Sequence, residues 1–475
     1  MTYKTIRSLL LFICVLLTQI AVAQTVSQRL QKAFSAFEND EQLKHAMSSL
    51  YVIDAKTGQV VFDKNSQVGL APASTQKIIT SVTAFEILGK DFRYKTDFSI
   101  SENLHPDGDN KAIFIEPSLD PTFGSWRYTS TTDTKIFENV FKAIKNKKGV
   151  EGIYLSVNNK PADIPDGWIW QDIGNYYGAS PGNFIWRENQ FDVSFKTGAP
   201  KSQSTIVQTN PAYISTIINN NVLAGEQGSG DNAYAYLPIG NDTMLIKGTV
   251  PPNRSSFSIS VAMVKPANVF LSAFTNYVSS PERATPVKIS RAMTTPDDLA
   301  DVLKYSSGPS KKELVYSHYS PSLDSIVYWF NKKSINLYGE TLLKTMALEK
   351  TKVPATDSGV TVVKKFWKEK GLDDDELNIR DGSGLSPLNR VTTHAQVEIL
   401  KYAKSKSWFP FFLQSLPDYN GMTMKSGTIS DVKGFCGYHK AKDGKEYIFS
   451  FLVNNYSGKT SPLVGKMYKV LDELK

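Results

Sequence analysis

The order in which hydrophobic periods change along the chain limits its fold more than any single motif. Residues 24–95 begin with an amphipathic helical pattern, VSQRLQKAFSAFEND, followed by a strand pair in SSLYVIDAKTGQVVFDKN. LAPASTQKIITSVTAFEILGK then places Ile78, Val82, Phe85 and Leu88 near one face of a helix that Gly89 can close. From 96 to 290 the texture changes to short alternating runs, turns and aromatics, with no long helical repeat. Residues 291–475 return to helices (DSIVYWFNKKS, INLYGETLLKTMALEK, GVTVVKKFWKEKG, THAQVEILKYAKS) and strands (MTMKSGTI, GFCGYHKA, YIFSFLVNN). This pattern predicts a discontinuous α/β (α+β) domain, built from 24–95 and 291–475. A large β-rich insertion over 96–290 interrupts it, expected to form two small subdomains.

The first 23 residues read as a secretory signal. Lys4 and Arg7 form its basic start, Leu9 to Ala21 its apolar run, and Ala21-Val22-Ala23 its cleavage site. The chain is therefore expected in the periplasm or cell envelope after cleavage near Ala23. Loss of the signal removes Cys14 and leaves Cys436 as the sole thiol, so no internal disulfide is expected. His45, His105, His318, His394 and His439 are scattered without metal-ligand spacing, and neither metal nor organic cofactor is expected. The formal charge of +8 is spread without dense Lys/Arg blocks. It suits peripheral association with an anionic membrane or wall and gives nucleic-acid binding little support.

Three Lys-(Thr/Ser)-Gly triplets and two Ser-x-x-Lys pairs compete for the chemistry. Ser74 and Lys77 in ASTQK share one face at the start of their helix. A desolvated lysine there can take the serine proton, which makes Ser74 a candidate nucleophile. The second pair, Ser430 and Lys433, shows how easily this spacing recurs. A serine and an asparagine two residues apart could relay protons and hold a substrate carbonyl. Ser101/Asn103 and Ser156/Asn158 lie in the β-rich middle and read as turns. Ser334/Asn336 lies between two helical stretches, where helix capping by Ser334 is the competing account. For the triplets, Lys56-Thr57-Gly58 sits at a hairpin turn, and Lys196-Thr197-Gly198 is followed by a loop in the middle zone. Lys425-Ser426-Gly427 lies on a strand of the α/β zone. There Lys425 sets the field, Ser426 and Thr428 offer hydroxyls, and Gly427 lets the substrate approach. The N–H groups of Thr428 and Ser74 would form an oxyanion hole. A further serine, Ser180 in Gly178-Ala-Ser-Pro-Gly182, matches a nucleophile elbow but lacks the strand-to-helix context.

PASTQK, DPTFG, GWIWQDIGNYYGA, SINLYGETLLK, RDGSGLSPLNRVT and KSGTISDVKGFCGY together resemble the penicillin-binding D-alanyl-D-alanine carboxypeptidase/endopeptidases of the low-molecular-mass class C type. The likeness runs through nearly the whole mature chain. It implies a serine penicillin-recognising transpeptidase-like fold and hydrolysis of peptidoglycan stem peptides through an acyl-enzyme, with β-lactams as inhibitors. It also implies Ser74 as acylated serine, Lys77 as base, Ser334 and Asn336 as the Ser-x-Asn element, and Lys425 to Gly427 as the third. Asp172 matches an acidic residue that holds the amino group of the stem peptide's diamino acid. Ile335 stands where the family has Asp, and SLPDYNGMTMKSG shortens the segment before the active strand. DGSGLS, Asp381 to Ser386, reads as a tight supporting loop. The alternatives are a catalytically impaired wall-binding scaffold and a β-lactamase-like hydrolase, the latter disfavoured by the long span between Lys77 and Ser334.

Overall fold

A computed structural model describes residues 24–101, 111–157, 164–238, 241–294 and 312–475. The expected signal, Asn103 and Asn158 lie outside them. The two α/β zones meet in a six-stranded antiparallel sheet. Its order is Asp418–Tyr419, Met422–Ile429, Val432–Lys440, Glu446–Asn454, Met47–Asp54, Val60–Lys64. Met47 pairs with Asn454 and Asp54 with Tyr447, so the N-terminal strand is sealed against the last one.

Both faces of this sheet are covered, and the two-residue alternation of strand side chains serves both. Leu50, Val52, Phe449, Phe451 and Val453 pack with the helices Val26–Glu38 and Thr460–Leu471. Tyr51, Ile53, Ile448 and Leu452 face the larger core instead. That core holds the helices Lys77–Leu88, Leu323–Lys332, Asn336–Thr351, Thr356–Glu369 and Thr393–Lys404. The 77–88 helix is more enclosed than its predicted stripe implied, being buried on all sides from Lys77 to Phe85. Its polar residues survive burial through hydrogen bonds: Thr83 Oγ1 donates to Ile79 O and accepts from Trp367 Nε1. Gly89 ends the helix at φ +82°, as expected.

The insertion differs from expectation in three ways. Its five-stranded sheet runs Arg291–Thr294, Val150–Leu155, Lys111–Glu116, Lys95–Ser101, Lys312–Tyr319. The strands at 291–294 and 312–319 thus belong to it, and the boundary at 290/291 moves to the segment after Tyr319. Second, its described residues include two helices of three turns or more. In Asp133–Ile144 the residues Ile136, Phe137, Val140, Phe141 and Ile144 make a continuous buried stripe; Pro266–Ser279 starts on a proline. Third, one apolar core joins this sheet to two three-stranded sheets, and Phe98, Phe123, Trp186, Phe195, Met244 and Phe270 all belong to it. The expected two subdomains are therefore fused.

Strand pairing at the neck and hydrogen bonds farther in tie the insertion to the catalytic fold. The Lys95–Ser101 and Lys312–Tyr319 strands pair antiparallel, and just below them Ser320 N donates to Tyr94 O over 3.0 Å. Farther in, buried Glu188 accepts from Arg127 Nε (2.8 Å) and Nη2 (3.1 Å), from Ser125 Oγ (2.7 Å) and from the Tyr338 hydroxyl (2.9 Å). Tyr338 lies two residues beyond Asn336, so this carboxylate fastens the insertion to the start of that helix.

Candidate active site

Ser74 sits in a single 3-10 turn, Ala73–Gln76, that leads into the Lys77–Leu88 helix. Ala73 takes φ +47°, a strained value for a residue with a Cβ. The strain turns the next side chain outward: between Ala71 and Phe85, Ser74 alone is not buried. Lys77, wholly buried, places its Nζ 2.9 Å from Ser74 Oγ, 2.7 Å from Asn336 Oδ1 and 2.7 Å from Ser383 O. Burial, and then the charge of Lys425, hold this amine well below the usual lysine range, while Asp381 and Glu340 pull the other way. A neutral amine has two N–H bonds and one lone pair. With the amide oxygen and the carbonyl taking the two N–H bonds, the lone pair is left for the Ser74 proton.

Asn336 opens the Asn336–Thr351 helix, and its Nδ2 donates to Tyr177 O over 2.8 Å. Ser334, at φ +56°, makes no capping bond: the residue before the helix is Ile335, with no side-chain cap. Ser334 Oγ instead accepts from Lys425 Nζ at 3.1 Å, which displaces the capping account. Ile335 packs against the main core, away from these polar groups.

On the Met422–Ile429 strand, burial pulls Lys425 down to about 7, and its Nζ also donates to Ser426 O at 2.8 Å. Gly427 lies against the turn that bears Ser74. A Cβ there would lie 2.6 Å from Pro72 O and 2.8 Å from the nitrogens of Ser74 and Thr75. The glycine thus admits the main chain of the Ala73–Gln76 turn. Met424 N donates to Pro417 O, away from the neighbouring 432–440 strand. Since peptide groups alternate sides along a strand, the N–H of Thr428 faces that same outer edge, beside Ser74. The shortened segment is a hairpin: Asp418 and Tyr419 pair with Thr423 and Met422 around Asn420-Gly421, both at positive φ.

The 381–386 loop supports the site, and its carbonyls reach further than the sequence suggested. Buried Asp381 accepts from Trp168 Nε1 (2.9 Å), Gly384 N (2.8 Å), Ser386 N (2.6 Å) and Asn389 Nδ2 (3.0 Å). Gln76, next to Lys77, donates to the Asp381 carbonyl. A Cβ on Gly384, at φ +82°, would collide with Ala73 O, so this loop abuts the strained turn. Glu340 accepts from Gly382 N at 2.9 Å, and burial raises its carboxyl. Neither Ser383 nor Glu340 was singled out from sequence; the i+4 spacing of Glu340 from Asn336 was the available signal.

Asp172 lies half-buried in the short helix Trp170–Ile173, hydrogen-bonded to the Tyr177 side chain and raised by burial. Through Tyr177 its loop touches Asn336. The other candidates lie elsewhere. Lys196 is exposed at the end of its strand, and Thr197 Oγ1 is engaged with Pro251 O and Arg254 N. Lys56 to Gly58 form a turn closed by Asp54 Oδ1. Ser180 is buried within the insertion, where Asn189 Nδ2 donates to its carbonyl. Among the described residues no cluster of His, Cys, Asp and Glu is arranged to hold a metal, and no helix is long and apolar enough to cross a membrane.

The profile of the D-Ala-D-Ala carboxypeptidase 3 (S13) family matches residues 30–418. The D-alanyl-D-alanine carboxypeptidase of Actinomadura sp. (strain R39) is 24% identical over 457 residues, covering 90% of this chain and 81% of the relative. D-alanyl-D-alanine carboxypeptidase DacB of Haemophilus influenzae is 23% identical over 422 residues, 84% and 83% of the two chains. In three dimensions, penicillin-binding protein 4 (DacB) from Haemophilus influenzae superposes with a TM-score of 0.74 at 19% identity, covering 95% of this chain and 99% of the other. Its complex with a β-lactam gives 0.70 at 17% identity, covering 94% and 99%.

Proposed function

Since the chain belongs to the D-Ala-D-Ala carboxypeptidase 3 (S13) family and is a serine D-Ala-D-Ala peptidase, we propose that Ser74 is its acylated nucleophile and Lys77 the base. One observation carries this reading: Lys77 Nζ stands 2.9 Å from Ser74 Oγ, its other contacts taken by Asn336 and Ser383. Ser74 Oγ attacks the carbonyl carbon of the penultimate D-Ala as its proton passes to the neutral amine of Lys77. The N–H groups of Ser74 and Thr428 receive the oxyanion. The C–N bond then breaks as the Ser334 hydroxyl, held by Lys425, passes its proton to the departing amine and takes up in its place the proton that Lys77 received from Ser74, which leaves Lys77 neutral again. The leaving group is terminal D-Ala, or the amino acid of a cross-link. Water attacks the ester, its proton goes to Lys77, and Ser74 departs reprotonated.

Asn336 holds the acyl side of the peptide, while Ser426 and Thr428 receive the carboxylate of the leaving residue. Asp172 pairs with the amino group of the stem peptide's diamino acid. Its half-buried carboxyl, one loop away from Asn336, supports that role. The enzyme acts after export, in the periplasm or envelope, with its basic surface resting against wall or membrane. The test is intact-protein mass after benzylpenicillin, comparing wild type, Ser74→Ala and Ser180→Ala. One penicilloyl adduct, lost only in Ser74→Ala, is expected. An adduct surviving that change would refute the assignment, and fast penicillin turnover without a lasting adduct would favour a β-lactamase-like hydrolase.

A further inference from the structure

Behind the active strand lies a buried cation that the mechanism does not use. Lys433 is 7% exposed, and in the strand register it stands directly opposite Thr428. Its Nζ donates to Thr428 Oγ1 over 2.8 Å and lies 4.7 Å from the centre of the Phe435 ring. None of the ion pairs among the described residues includes it. Burial alone pulls its pKa down to about 8, with no carboxylate to offset the loss of water, so it is still charged near neutrality. A second buried lysine, Lys425, feels its positive field. An ammonium without a counter-ion is costly inside a protein, and an anion bound nearby relieves that cost.

The geometry shows where the anion would sit. An ammonium only donates, so the Thr428 hydroxyl must accept from it, and its own proton is turned outward. Thr428 is exposed, and its N–H lies on the edge next to Ser74. Ser426, two residues back, presents its side chain on the same face. Resting on the assignment of Ser74 above, we infer that Lys433 is a specificity-determining positioning residue for the α-carboxylate of the leaving D-amino acid. It acts through Thr428: it orients the hydroxyl as a donor and supplies the positive charge that the carboxylate neutralises.

Two peptides separate this role from a structural one: an acylated D-Ala-D-Ala with a free C-terminus and its C-terminal carboxamide. The readout is the ratio of kcat/KM for acid over amide in wild type, Lys433→Met, Lys433→Arg and Thr428→Val. A charge-assisted hydrogen bond is worth about ten- to a hundredfold in such a ratio. The ratio should fall by about that much in Lys433→Met, remain high in Lys433→Arg, and fall comparably in Thr428→Val. Lys433→Met with both rates reduced alike, or with the ratio intact, would overturn the inference and leave Lys433 a packing residue. Turnover of neither peptide by wild type would overturn the assignment of Ser74, and this inference with it.

Discussion

Replacing Gly427 by alanine separates two explanations of a glycine on the active strand. If the glycine makes room for substrate, a methyl group should chiefly raise KM. The structure points the new Cβ at the main chain of the turn that bears Ser74, 2.6 Å from Pro72 O and 2.8 Å from Ser74 N. Ordinary contact begins near 3.4 Å, so strand and turn must part by roughly 0.8 Å. The N–H groups of Ser74 and Thr428, proposed above to receive the oxyanion, lie at that junction. Losing one oxyanion donor costs on the order of 10²–10³ in rate, and a 1 Å misplacement about 10². Acylation by a chromogenic cephalosporin should therefore slow by about a hundredfold or more, with overpacking lowering folding stability by about 1–3 kcal/mol. Gly465→Ala is the control: it lies in the Thr460–Leu471 helix with open space around its Cβ, and should leave acylation intact. A Gly427→Ala enzyme that melts cooperatively yet acylates within twofold of wild type would refute the idea that this spacing sets the oxyanion pair.

Two further outcomes follow from the charges. Because the positive charge of Lys425 helps depress Lys77, Lys425→Met should move the acid limb of the acylation pH profile upward; a limb that stays put or moves down would exclude Lys77 as the titrating base. Burial pushes the Asp120 carboxyl up from 3.8 to about 6, so the stability of its neutral form is complete below about pH 4 and lost as pH rises through about 6. Asp120→Asn should thus be more stable than wild type at pH 8, by about 1–3 kcal/mol in urea unfolding, with the gap shrinking toward pH 5; equal stability at pH 8 would contradict this.

The sequence revealed those parts of the site that short spacings encode. Ser74 with Lys77, and Ser334 with Asn336, each occupy a few residues, and the zoning of the chain separated Lys425 from Lys196. Contacts made by main-chain atoms leave no such trace: nothing in DGSGLS announces that the carbonyl of Ser383 reaches Lys77. Lys433 was visible only as half of a chance Ser-x-x-Lys pair, because its meaning depends on cross-strand register with Thr428. Asp172 came from resemblance alone. In the insertion, Ile136, Phe137, Val140, Phe141 and Ile144 do carry a helical period, masked by the surrounding turns and aromatics. The boundary was misplaced because pairing of Lys312–Tyr319 with Lys95–Ser101 joins segments more than two hundred residues apart, a non-local choice that no local pattern specifies.

That pairing also makes the insertion portable. The chain leaves the catalytic fold at Tyr94 and returns at Ser320, and these two residues are hydrogen-bonded to each other. Adjacent ends mean that whatever lies between them imposes almost no strain on the host, since the cost of closing a loop grows only slowly with its length. Seen from the catalytic sheet, everything from Lys95 to Tyr319 is an elaborate hairpin. Evolution could lengthen, trim or exchange such a cartridge without reworking the core, and an engineer could cap the neck with a short turn. The interior stitches to be replaced would include Glu188 on Tyr338, Trp168 on Asp381 and the Tyr177 carbonyl on Asn336, contacts through which the cartridge steadies the helix bearing Asn336 and the 381–386 loop.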